Sequence, residues 1–168
     1  MCSAGFVLTH HYALNRLVGY LETDANAAGS GWHIKQFQYA MAHGGTLGSD
    51  WGEAMWSNAY LPLSHSDSAF ASIVEASGLL GGMIVISGFL MLVLLFRNAA
   101  LKKSAGMVRM VLFSIGAMCA AQAFLHIGVN TALLPPTGLT LPILSYGGSS
   151  LIATFGAFGV AFSAAKDK

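Results

Sequence analysis

The chain has 168 residues, 55% of them hydrophobic and 9% charged, where a soluble domain carries roughly 45–50% apolar and about 25% charged residues. That composition excludes an ordinary soluble enzyme and points to the membrane. The net charge of +1 hides an asymmetry, six acids to two bases before Gly78 and six bases to one acid after it, and bases that flank apolar spans mark a cytoplasmic face and exclude a nucleic-acid surface.

Residues 1–9 are apolar but too short to span, lack a secretory leader, and read as the end of a transmembrane span whose beginning is absent. Residues 10–77 are polar, aromatic and glycine-rich, and they read as an extracytoplasmic loop region with short helices. Within it Trp32, Phe37, Ala40 and Met41 fall near helical spacing. The segment 32–42 is either an amphipathic helix on the membrane surface or a helix packed within the loop region. Ser64-His65-Ser66-Asp67-Ser68 is rich in helix-capping residues, so a helix starts near it.

Residues 78–96 carry no charge and read as a transmembrane helix. A basic loop, 97–109, separates it from a second uncharged run at 110–134. Residues 135–148 hold three of the chain's four prolines and three glycines, which rules out a regular helix. A third span follows at 149–165, closed by the basic tail 166–168. With the basic loop and basic tail on one side, the positive-inside rule puts the 10–77 region and the 135–148 segment together on the outer side. Irregular backbone at membrane depth is tolerated only where protein or a watery cavity satisfies it, so the stretch from Leu134 to Ser150 is a candidate site.

Asp67 is the sharpest candidate for chemistry, a carboxylate where an external loop meets a transmembrane helix. It is either a general base or a simple helix cap. Arg16 and Lys35 are the outer-face cations suited to an anionic group, or else they pair with nearby acids. Gly147-Gly148-Ser149-Ser150 opens a helix after a tight turn, where amides can meet an anion or where small residues let helices pack closely. His126 on a span reads as a packing residue. The histidines show no metal-ligand spacing, so no metal site is expected, and Cys2 and Cys119 do not suggest a disulfide framework.

The run Leu134-Pro135-Pro136-Thr137-Gly138-Leu139-Thr140-Leu141-Pro142-Ile143-Leu144-Ser145-Tyr146-Gly147-Gly148-Ser149-Ser150 resembles the signature of the SEDS family (shape, elongation, division and sporulation), the RodA, FtsW and SpoVE group. Tyr60-Leu61-Pro62 with His65, Ser66 and Asp67 is similar to the family's Leu-Pro-Glu-x-His-Thr-Asp-Phe motif, with Leu63, Ser66 and Ser68 in place of its Glu, Thr and Phe. Its paired glutamates are Glu75-Ala76 here. Gly31, Gln36, Ala40, Gly44, Gly45, Gly48 and Gly52 fall where the family has its glycine-and-glutamine external loop.

The resemblance implies an all-α polytopic membrane protein, the C-terminal part of a roughly ten-span fold in the bacterial cytoplasmic (inner) membrane. It implies a peptidoglycan glycosyltransferase that polymerises lipid II, with Asp67 catalytic. Arg16, Lys35, Gln36, His65, Ser145, Gly147, Gly148, Ser149 and Ser150 are then its substrate-binding candidates. The partners implied are a class B penicillin-binding protein and other divisome or elongasome membrane proteins. No cofactor is required; a divalent cation is the one candidate, as an alternative to Arg16 and Lys35 for neutralising pyrophosphate. A lipid-linked precursor transporter (flippase) and a non-catalytic, partner-binding remnant are the alternative functions.

Overall fold

The computed structural model describes residues 30–49, 66–104 and 106–166. Among these there are four helices: α1, Ser30–Gly44; α2, Ala69–Leu101; α3, Gly106–Asn130; and α4, Gly148–Lys166. The segment 1–9, Arg16, the Tyr60-Leu61-Pro62 motif and His65 lie outside the described residues. The last three helices, of 33, 25 and 19 residues, are long and apolar enough to cross a membrane. At 1.5 Å per residue even the shortest reaches about 28 Å, close to the thickness of the hydrocarbon core. The protein is an all-α, multi-pass membrane protein.

Helix α3 is the axis of the packing, touching α1, α2 and α4. Three apolar clusters follow one another along it. At one end Phe37 and Ala40 of α1 meet Ala71 of α2 and Val129 of α3, with Leu134 against them. In the middle Phe89 and Ala123 enclose Leu141. At the other end Ala100, Leu112 and Ala161 pack together, and Lys103 Nζ donates to the Ala165 carbonyl at 2.6 Å. The start of α2, the end of α3 and the start of α4 thus share one end of the bundle, and the basic residues Lys102, Lys103, Arg109 and Lys166 gather at the other.

Several helix limits differ from those expected. Helix α2 starts at Ala69, next to the capping run as expected, but it is continuous with the span expected from Gly78 and runs past Arg97 to Leu101, because charge does not end a helix. Glu75 is fully buried and lies 3.5 Å from His43 Nδ1. The loop expected at 97–109 shrinks accordingly, since α3 starts at Gly106. Helix α3 in turn stops at Asn130 rather than continuing to 134. Ala132 takes a positive φ of 58°, and the Leu133 and Leu134 amides both turn back to the Gly128 carbonyl, at 2.8 and 3.0 Å, an arrangement that closes a helix C-terminus. Finally, α1 does not present its apolar face to a membrane surface; Ile34, Phe37 and Ala40 are buried.

The contact that holds this loop helix is made backbone to backbone at a kink. Gly78 adopts φ 70° and ψ −172° inside α2. Its neighbour Leu79 donates to the Gly45 carbonyl, and Ser49 N donates to the Glu75 carbonyl, each at 3.0 Å. A Cβ on Gly78 would stand 2.5 Å from Gly48 N and from the Thr46 carbonyl oxygen, and its positive φ disfavours any other residue by about 1–2 kcal/mol. We therefore expect Gly78→Ala to release the 30–49 segment, read as faster protease cleavage there and a lower unfolding temperature. Gly88→Ala, where a Cβ meets open space, should change neither.

Candidate functional site

The site is built where the start of α2, the end of α3 and the segment 131–147 converge. Asp67 occupies the turn before α2, half-buried, and Ser68 is the N-cap residue, with no hydrogen bond from its side chain to the first-turn amides. A helix start leaves such amides without intrahelical partners. Here the third one, Ala71 N, is satisfied from another helix: it donates to Asn130 Oδ1 at 3.2 Å. The same Asn130 donates through Nδ2 to the Asp67 carbonyl at 3.0 Å and to the His126 carbonyl at 2.9 Å. Asn130 is completely buried.

This arrangement bears on the reading of Asp67 as a helix cap. The capping acceptor is supplied by Asn130, and among the described residues no hydrogen bond ties down the Asp67 carboxylate. The backbone of Asp67 is fixed by Asn130 while its side chain is left out of the cap.

The other wall comes from the proline-rich segment. Ser145 Oγ accepts from Leu141 N at 2.8 Å and donates to the Ser66 carbonyl at 2.9 Å, so residues 66 and 67 are each held by a side chain from a different element. Ser145 is 2% exposed and its hydroxyl hydrogen is committed to the fold; it positions the site from behind. The turn that delivers it is strained. Leu144 N donates to the Pro142 carbonyl at 2.8 Å, and the residue between them, β-branched Ile143, has φ 69°. A γ-turn of this hand is rare, and positive φ costs a β-branched residue on the order of 1–3 kcal/mol. Buried anchors on both sides, Leu141 and Ser145, hold it in place.

The remaining candidates divide. Ser150 Oγ lies 2.7 Å from Thr140 Oγ1, a tie between the segment and α4. Gly148 and Ser149 lie exposed at the α4 N-terminus, and Gly147 accepts from Leu151 N at 2.8 Å. Lys35 and Gln36 are carried on α1, half-buried and buried, beside the Phe37 and Ala40 face that packs on Ala71. Arg16 and His65 lie outside the described residues. Asn130 was missed in the sequence; its signal was a lone amide at the end of an apolar run, four residues after His126. His126 was read as a packing residue, yet its Nδ1 lies 2.7 Å from the Leu139 carbonyl, a polar tie from α3 to the proline-rich segment.

Comparison with known proteins bears on what such a site belongs to. The family model described as cell cycle protein, FtsW/RodA/SpoVE, matches residues 1–168. The chain belongs to the FtsW/RodA/SpoVE family, the SEDS group. Among its family relatives, a probable peptidoglycan glycosyltransferase FtsW of Marinomonas mediterranea is 37% identical over 160 residues, covering 94% of this chain and 39% of that protein. Stage V sporulation protein E of Bacillus subtilis is 38% identical over 158 residues, covering 93% of this chain and 43% of that one. The chain therefore spans about two fifths of the length of these FtsW and SpoVE relatives. A solved chain from work on the structural coordination of polymerization and crosslinking by a peptidoglycan synthase complex matches the fold. It does so with a TM-score of 0.72 and 26% identity, over 90% of this chain and 41% of its own length.

Removing the shared cap should cost more than a surface substitution. Asn130→Ala strands the Ala71 amide and the Asp67 carbonyl, and a buried group left unpaired costs about 1–3 kcal/mol. We expect a loss of about 2 kcal/mol or more in an unfolding titration in mixed detergent micelles, against about 1 kcal/mol for Ser145→Ala. Equal stability of Asn130→Ala and the parent protein would remove the cap from the account.

Proposed function

We propose that this chain forms the C-terminal part of a membrane-embedded glycosyltransferase that polymerises lipid II, with Asp67 as general base. The observation that carries the reading is the capping of α2 from Asn130, which leaves the Asp67 carboxylate uncommitted at the bundle end opposite the basic residues. Family membership and the names of the FtsW relatives support the same reaction class. By the positive-inside rule the basic end faces the cytoplasm, so Asp67 faces outward from a bacterial inner membrane.

In this mechanism Asp67 removes the proton from the attacking sugar hydroxyl. The hydroxyl oxygen displaces undecaprenyl pyrophosphate from the anomeric carbon of a second sugar, with inversion. Pyrophosphate leaves without needing a proton, so one base is enough, whereas glycoside hydrolysis needs a paired acid. Arg16, Lys35 and the amides at the start of α4, from Gly147 and Gly148 to Ser149 and Ser150, are suited to the pyrophosphate, with Gln36 and His65 as further substrate contacts. A divalent cation is the alternative counter-charge. Among the described residues no three His, Cys, Asp or Glu side chains converge, so these residues offer no ready cage for it. A class B penicillin-binding protein is the partner this reading implies, in keeping with the peptidoglycan synthase complex that shares the fold.

The test is polymerisation of lipid II by the full-length protein in detergent. Loss of a general base costs roughly 10²–10⁴-fold, so Asp67→Asn should lower glycan formation by at least about a hundredfold while the protein still unfolds at its normal temperature. Undiminished polymer would sink the assignment of Asp67. Movement of labelled lipid across vesicles without any glycan would favour a transporter instead.

A further inference from the structure

Gln122, His126 and Asn130 recur every fourth residue of α3 and so share one face of a membrane-spanning helix. Ionisable residues in such a position usually mark a functional path. Asn130 is fully engaged, as described. At His126 the Nδ1 atom lies 2.7 Å from the Leu139 carbonyl. A carbonyl can only accept, so Nδ1 carries the hydrogen. Nε2 is then the acceptor of the neutral ring, and the one ring atom that can gain or lose a proton without breaking the bond to Leu139. His126 is 1% exposed, and among the described residues Nε2 has no hydrogen-bond donor. One turn along the same face, Gln122 Oε1 is also buried without a donor.

Among the described residues the charges around the ring are few. The Asp67 carbonyl shares Asn130 with that of His126. The segment 131–147 brings no Asp, Glu, Lys, Arg or His, and its Tyr146 is exposed. On α1 and α2, His43 and Glu75 face each other, and Lys35 has a partner of its own.

We propose that His126 is a proton-accepting residue behind Asp67. Its Nε2, together with Gln122 Oε1, takes the two hydrogens of a water molecule, whose oxygen accepts from the Asp67 carboxyl once that group is protonated. This rests on the reading of Asp67 as the base. That chemistry leaves a proton to be cleared: the hydroxyl O–H bond breaks as the glycosidic C–O bond forms, and the electron pair of the bond to pyrophosphate departs with the leaving group, which takes no proton. The proton passes from the hydroxyl to Asp67 and then, through the water, to Nε2. It is returned to solvent before the next cycle, with Asp67 ionised again. His126 acts through Asp67 and is a positioning residue rather than one that touches substrate.

The test is nitrogen NMR on the full-length protein, labelled with 15N-histidine and 13C-leucine in lipid bilayers, with His126 assigned by its correlation to Leu125. The neutral ring should carry its hydrogen on Nδ1, and acidification should protonate Nε2 alone. Asp67→Asn should displace that titration midpoint by about half a pH unit or more, and Arg97→Gln at the opposite end should not. In the polymerase assay His126→Gln should lower kcat about tenfold or more with KM unchanged, and added imidazole should restore turnover to His126→Ala. A hydrogen on Nε2 with Nδ1 bare, or a midpoint indifferent to Asp67, overturns the relay even in an active polymerase. Coupled midpoints in a protein whose Asp67→Asn variant polymerises normally overturn the reading of Asp67 as base, and the relay falls with it.

Discussion

The site depends on one side chain, the amide of Asn130, whose two ends do different work. Its oxygen caps an amide at the start of α2, and its nitrogen holds the Asp67 carbonyl and the carbonyl one turn back on its own helix. An amide is the side chain that can donate and accept at once from a buried position without carrying charge. A carboxylate there would set oxygen against two carbonyl oxygens, and a hydrocarbon would strand them. Through this residue the order of α3 becomes the order of the Asp67 backbone, and the cost of burying an amide among apolar helices is offset by three hydrogen bonds.

Around that point irregular backbone is pinned by hydrogen bonds that reach another element. The γ-turn at Ile143 is braced by Ser145, which reaches both Leu141 and Ser66. The kink at Gly78 is matched to the Gly45 and Ser49 backbone. Such strain persists only where the surroundings over-determine it. Both sites of strain lie next to elements that carry Asp67 or its walls, which ties the loop helix, the proline-rich segment and the α2 start into one unit at one end of the bundle.

The spans were legible in the sequence because an uncharged apolar run has few other uses, and the irregular segment was legible because Pro135, Pro136 and Pro142 cannot sit in a regular helix. Helix ends were less so. Gly78 and Arg97 read as the ends of the first span, yet a glycine can sit at a kink inside α2, and a basic side chain can extend to water from within a helix. The capping of the α2 start lay beyond the sequence, since the acceptor for the Ala71 amide is 59 residues away. The same holds for Ser145, whose partner Ser66 is separated from it by 79 residues. What distant residues contribute to a helix start leaves no local pattern.

The most direct measurement of the central claim is a structure of the full-length Asp67→Asn protein with lipid II bound. The account expects the side chain at position 67 to lie about 2.6–3.2 Å from the acceptor sugar hydroxyl, with Asn130 still bonded to the Ala71 amide. A side chain at position 67 turned back onto the α2 amides, with the sugar hydroxyl elsewhere, would contradict it.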